Sequence, residues 1–194
     1  MMNSNQNEIA KLTEAKRLYE KGKLQEALKL YLPLAEAGNI ECQIFVGRLY
    51  AKGVRGVTQD LEAAKRWLGR AANSGNADAL YSLGVIDHRL GKYSSAIHSY
   101  QNAATLGYSA AYYQLGNMYR AGIGFEKNRD KAFELYEEAA KRGHIFARRD
   151  IALMLVKGCK GWRMVPLGCI KWLASIFTGI RTVVKDSYSE KTFD

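Results

Sequence analysis

Apolar and small residues recur three or four positions apart along most of this chain, the spacing of one α-helical face, with polar residues between them. Glycine interrupts the pattern at intervals, and a glycine just past a helix suits the left-handed backbone of a C-cap. The helical stretches also repeat one another. Ala64, Trp67, Ala71, Ala72, Gly75, Ala79 and Gly84 are followed in the same order by Ala96, Tyr100, Ala103, Ala104, Gly107, Ala111 and Gly116. A third copy runs Ala132, Tyr136, Ala139, Ala140, Gly143, Ala147, and a weaker first copy runs Ala27, Tyr31, Ala35, Gly38, Cys42, Gly47. Gly38, Gly75, Gly107 and Gly143 are spaced by 37, 32 and 36 residues, and Ala27, Ala64, Ala96 and Ala132 are spaced identically. Two landmarks sharing every spacing identify an internal repeat of paired helices.

The residue types follow from packing. Small residues such as Ala72, Ala79 and Gly84 let paired helices approach, and Trp67, Tyr100 and Tyr136 are expected to fill the space between neighbouring pairs. Cys42 takes the slot held elsewhere by Ala79, Ala111 and Ala147, so it reads as a small core residue. No single pair can bury its apolar face alone, and stacking of pairs supplies the core.

The repeated unit resembles the Sel1-like repeat, Ala-x-x-(Trp/Tyr)-x-x-x-Ala-Ala-x-x-Gly-x-x-x-Ala-x-x-x-Leu-Gly-x-x-Tyr-x-x-Gly. Residues 64–91 match most of it, with Asp87 where the aromatic is expected. Gly47, Tyr50 and Gly53 supply the ending, as do Gly116, Tyr119 and Gly122. The stretches 53–57 and 122–125 look like that family's longer loops. The unit beginning at Ala77 has the short turn Leu90-Gly91-Lys92-Tyr93 of a plain tetratricopeptide repeat. The resemblance implies an all-α fold, a right-handed α-α superhelix of Sel1-like, tetratricopeptide-like helix-turn-helix repeats with about ten helices. The expected organisation is a disordered N-terminus over 1–7, repeats over 8–158, a divergent C-terminal repeat or capping helix over 159–186, and a loose tail over 187–194. Register carried on from Ala132, Tyr136 and Gly143 reaches Gly168, Trp172 and Gly179, so a last helix is expected over 165–178. Its apolar residues, Leu167, Ile170, Trp172, Leu173, Ile176 and Phe177, either cap the array or contact a partner or membrane surface through 165–184. The run is shorter than the ~20 residues of a membrane span and contains Lys171.

Composition fits a folded protein: 194 residues, 47% hydrophobic, 25% charged, with 18 glycines and only 2 prolines. The first twelve residues hold no apolar stretch of signal-peptide length, and the 3 cysteines form no disulfide framework, so a cytoplasmic address is expected. The net charge of +10 is uneven. Residues 141–194 hold 11 Lys/Arg and 4 Asp/Glu, leaving 18 and 15 in the rest of the chain. This basic third is either a patch for an acidic protein, nucleic acid or anionic lipid, or a solvated end of the array.

No catalytic or metal-binding motif emerges. His88, His98 and His144 lack a helical ligand spacing, and Cys159 and Cys169 have no histidine companion. Gly122-Ile123-Gly124 follows no strand, so it is a turn and not a phosphate loop. The expectation is a protein that is not an enzyme and has no cofactor. In arrays of this kind the first helix of each pair lines a concave groove. With Gly47, Gly84 and Gly116 as register marks, the resemblance places Arg48, Ala51 and Lys52; Val85, His88 and Arg89; and Asn117, Arg120 and Ala121 there. Positions three before the marks add Ile44, Tyr81 and Tyr113. The partner-binding set is then Ile44, Arg48, Lys52, Tyr81, His88, Arg89, Tyr113, Asn117 and Arg120, a mixture of arginine, lysine and tyrosine common at protein interfaces. The implied function is a non-catalytic scaffold or adaptor that binds a partner protein or peptide, acidic in character. An immunity or antitoxin-type inhibitor of a toxin or effector would use the same groove. Lipid or nucleic-acid association through the basic third is a further alternative, with no nucleic-acid motif to support it. Sel1-like proteins are often bacterial, and none of these features fixes an oligomeric state.

Overall fold

A computed structural model describes residues 4–54 and 56–157, with positions 167, 169, 170, 173 and 174 beyond them. Among the described residues nine α-helices follow one another: α1 (Ser4–Glu20), α2 (Leu24–Glu36), α3 (Ile40–Lys52), α4 (Leu61–Asn73), α5 (Ala77–Arg89), α6 (Tyr93–Thr105), α7 (Ser109–Ala121), α8 (Arg129–Lys141) and α9 (Ile145–Val156). The last helix expected, over 165–178, lies outside the described residues, as does the tail over 187–194. Helix α1 begins at Ser4, inside the segment read as a disordered N-terminus. An isolated bridge between Val54 and Val57 closes the α3–α4 loop.

Local sequence sets the helix ends. The side chains of Asn39, Asp60, Asn76 and Asn128 accept from the backbone N–H of Cys42 (3.1 Å), Ala63 (2.8 Å), Ala79 (3.0 Å) and Lys131 (2.9 Å), satisfying donors that have no partner inside the helix. At the far end of α4 the chain turns through Gly75 at φ 74°, a conformation that a Cβ disfavours. Two kinds of connection then appear. The α3–α4 and α7–α8 loops are long, and Tyr50 and Tyr119 sit at their base. The N–H of Asp60 donates to the carbonyl of Tyr50 (3.0 Å) and that of Asn128 to the carbonyl of Tyr119 (2.9 Å). The Tyr119 ring also stacks on Phe125 of its loop at 4.0 Å. The α5–α6 turn is short and offers no loop residue to cover an aromatic ring at the equivalent place. There Asp87 is buried and accepts from Lys65 Nζ at 2.7 Å, while its own carbonyl accepts from the N–H of Lys92 (2.8 Å).

The chain divides into two compact units, residues 1–106 and 107–194. In the first, α1 pairs with α2, α3 with α4 and α5 with α6, while α2 packs on α3 and α4 on α5. Its core includes two clusters among the described residues. One holds Leu18, Tyr31, Leu34, Val46 and Leu49; the other holds Ile44, Leu68, Ala79 and Ile86. In the second unit α7 pairs with α8, and α9 packs on α8 around Phe133, Tyr136, Ile151 and Leu155. Each fully buried side chain of this size contributes roughly 1.5–3 kcal/mol.

The expectation that Trp67, Tyr100 and Tyr136 share one role needs correcting. Tyr100 and Tyr136 lie inside their own hairpins, against Gly84 and Gly116, and Leu68 is their counterpart against Gly47. Trp67 is one residue out of that register. It is partly buried against the first cluster, with the Arg70 guanidinium 4.7 Å above its ring. Cys42 is fully buried in the first cluster, as its slot implied, and burial pushes its thiol up to about 11. Among the described residues no helix is long and apolar enough to cross a membrane.

Candidate functional site

Each unit carries a cavity between consecutive first helices of its pairs, with the intervening helix or loop behind it. In the first unit a cavity of about 320 Å³ lies between α3 and α5, with Leu68 of α4 at its floor. Arg48 and Lys52 come from α3, and Tyr81, Val85 and Arg89 from α5. Arg48 is fixed by intramolecular contacts. Its Nε donates to Ser82 Oγ (3.2 Å), and its guanidinium pairs with the Asp78 carboxylate, so it ties α3 to α5. Lys52 and Arg89 are exposed and have no partner among the described residues. Tyr81 is half-buried, with its ring centroid 5.8 Å from that of Tyr100.

The second unit holds a cavity of about 400 Å³ lined by Arg120 and Ala121 at the end of α7, Lys127 and Arg129 around the start of α8, and Asp150, Leu153, Met154 and Lys157 on and just past α9. Asp150 is buried and already engaged. The Tyr113 hydroxyl donates to its Oδ2 at 2.9 Å, and Arg149 reaches its Oδ1 at 3.4 Å. Burial and this bond to Asp150 together raise the Tyr113 hydroxyl above its ordinary pKa. The same ring stacks on His144 at 4.3 Å. Burial lowers the His144 pKa, and the Asp150 charge opposes that shift.

The nine residues expected in one strip therefore separate. Arg48, Lys52, Tyr81 and Arg89 line the first cavity, and Arg120 lines the second. Ile44 is a core residue, 8% exposed, beside Leu68 and Ile86, because the apolar face of α3 turns it towards α4. His88 is half-buried with its ring edge-on to Tyr93, 5.5 Å away. Asn117 accepts from the Tyr136 hydroxyl (2.7 Å) and from Arg120 (3.3 Å), and Tyr113 is committed to Asp150; both are internal contacts.

Three cations of the second cavity were not anticipated: Lys127, Arg129 and Lys157. The repeat register could have found Lys157. Ala152 occupies the place of Gly116 one unit on, and the offsets of one and five residues from it give Leu153 and Lys157, both in the cavity wall. Lys127 and Arg129 come from the loop and the start of α8, where no repeat position predicts them.

Comparison with known proteins follows the same divisions. The family model described as the Sel1 repeat matches residues 15–39, 40–76 and 109–144, passing over the unit with the short α5–α6 turn. A Sel1 repeat protein from Oxalobacter formigenes superposes with a TM-score of 0.71 at 26% identity, covering 87% of this chain and 68% of its own. A protective antigen of uropathogenic Escherichia coli displaying an SLR fold superposes with a TM-score of 0.68 at 26% identity, covering 88% of this chain and 42% of its own. Chitin synthase regulatory factor 1 of Schizosaccharomyces pombe is 30% identical over 115 residues, which are 56% of this chain. The chain spans about a quarter (25%) of the length of that curated relative. Sel1 repeats are generally protein-interaction scaffolds and their fold is typically non-catalytic. Paired helices crossing at glycine, the two loop types and three matched repeats covering half of the residues agree: this chain belongs to the Sel1 repeat family.

Proposed function

We propose that this chain is a non-catalytic scaffold that holds an acidic segment of a partner protein against α3 and α5. The observation that carries the reading is the first cavity, where an apolar floor of Leu68 and Val85 and the half-buried Tyr81 are rimmed by Lys52 and Arg89. Tyrosine and arginine are enriched among residues that dominate binding energy, and an apolar floor with a charged rim is the usual anatomy of such a contact. Arg48 acts here as a strut, because its charge is already matched by Asp78. The thiol of Cys42 is a buried core group, and the carboxylate of Asp150 is buried and already hydrogen-bonded to Tyr113. A regulatory factor among the relatives is in keeping with a protein that acts by binding.

Lys52→Glu combined with Arg89→Glu tests the reading, since both side chains are exposed and neither holds the fold together. Affinity purification from native lysate, quantified by mass spectrometry, should recover a stoichiometric partner with the parent chain. Recovery should fall at least ~10-fold with the double variant while its thermal transition stays in place, the scale expected when two rim charges are reversed against an acidic partner. Undiminished recovery with the double variant would place binding elsewhere.

A further inference from the structure

We propose that the cavity of the second unit is a phosphoryl-binding site, and that the partner segment it accepts carries a phosphorylated side chain. The reading of the chain as a scaffold supplies only the peptide that bears this group; the site itself rests on separate residues. Arg120, Lys127, Arg129 and Lys157 reach one space of about 400 Å³ from four places in the fold: the end of α7, the following loop, the start of α8 and the residue just past α9. Among the described residues one acid lines that space, and Asp150 has its two oxygens committed to Tyr113 and Arg149. Glu126 and Asp130 neighbour the loop cations in sequence but are not part of the wall. Arg120 donates to the neutral side-chain oxygen of Asn117, and among the described residues no acid pairs with Arg120, Lys127, Arg129 or Lys157. Four like charges held around one cavity repel one another, and a ligand of opposite charge relieves that repulsion.

The number and arrangement of the cations select the ligand. A lone carboxylate brings one negative charge and two oxygens, too few for four cations. A phosphoryl group brings about 1.5–2 negative charges at neutral pH and three acceptor oxygens. Two guanidinium groups can each engage two of those oxygens, and two ammonium groups add compact charges. Leu153 and the buried Met154 provide an apolar wall for the carbon stem of the modified residue. The volume lies within the range of small-ligand sites, about 300–1,000 Å³. The first cavity differs in kind: one of its three cations is neutralised by Asp78, and its walls are mostly apolar.

The test uses the full chain and three heptapeptides with glycine-alanine flanks around a central phosphoserine, an unmodified serine or a pair of glutamates. Binding is read by calorimetry at fixed salt. The phosphoserine peptide should bind at least ~10-fold more tightly than either of the others, as charge-assisted bonds to a dianion require. The double change Arg129→Gln and Lys157→Gln should abolish that preference, and Lys52→Glu with Arg89→Glu should leave it intact. Equal affinity for the serine peptide, or an unchanged preference in the Arg129/Lys157 variant, overturns the proposal. A glutamate-pair peptide that matches the phosphopeptide, or a single-stranded oligonucleotide of equal charge that outcompetes it, overturns it as well. Because the peptide comparison is made on the unaltered chain, it stands even if a variant folds poorly. Loss of partner capture through Lys52 and Arg89 with phosphopeptide binding intact would separate this site from the scaffold reading.

Discussion

At Gly84 the ring of Tyr100 occupies the space where a side chain would begin: an added Cβ would stand 2.6 Å from two ring carbons. Gly116 meets Tyr136 in the same way at 2.7 Å, and Gly47 meets Leu68 at 2.6 Å. These contacts set the separation of the paired helices, because the buried ring cannot move without opening the core around it. Gly84→Ala should therefore destabilise the protein by about 1–3 kcal/mol, the usual cost of overpacking, even though alanine is the better helix former. Urea unfolding measures the difference, and a variant as stable as the parent would show that Tyr100 can swing aside. Burial also drives the hydroxyls of Tyr100 and Tyr136 well above their ordinary pKa, so both stay protonated as packing groups with a polar tip. Asp87 marks the opposite case, a buried charge in an aromatic slot that Lys65 accompanies at 2.7 Å.

Individual helices differ in how they begin. Four start on an asparagine or aspartate cap, α2 and α6 start without a side-chain cap after short glycine-lysine turns, and α9 starts on a histidine. His144 Nδ1 accepts from the Ala147 N–H at 3.3 Å, which only the unprotonated ring nitrogen can do. Burial lowers the pKa of His144 in the folded protein below the ordinary 6.5, so protonation is harder folded than unfolded. The contribution of His144 is then complete above the unfolded value and is lost as pH falls through the lower folded one. His144→Asn keeps an acceptor at the cap and removes the titration. The difference in urea midpoint, parent minus His144→Asn, should stay constant at about pH 7–8 and fall as pH drops below the unfolded value of 6.5. A gap that does not change with pH would show that His144 contributes only through its stacking on Tyr113. His144→Ala, lacking any acceptor, should cost about 1 kcal/mol in α9 at neutral pH.

For the molecule as a whole, each unit has its own core, and in arrays of this kind stability is carried mainly by nearest neighbours. A lesion in the second unit should then remain local. Gly116→Ala should speed amide exchange through α7, α8 and α9 while α1 to α4 keep the parent's protection. Equal loss of protection in α1 to α4 would mean that the chain unfolds as one cooperative body. The charge is distributed unevenly at this scale too. The first cavity neutralises part of its charge within the protein, and the second leaves four cations facing a carboxylate that is already bonded.

The family, the helical register and the glycine crossings were legible in the sequence because they rest on periodicity, and a spacing shared by alanine and glycine landmarks survives variation in the residues between them. So was the alternation of loop types, since Tyr50, Tyr119 and Asp87 announce it. What periodicity could not give was the direction each position faces once two helices cross at a particular angle. That angle turns Ile44 into the core and commits Asn117 and Tyr113 to internal bonds. It also seats Leu68, rather than Trp67, against Gly47. Nor could it place Lys127 and Arg129 in the wall of one cavity with Arg120 and Lys157, because the path of an irregular loop is fixed by its closing bonds and not by a repeat. Sequence determined which helices form and how they pair; only the packed structure decided which of their charges share one space.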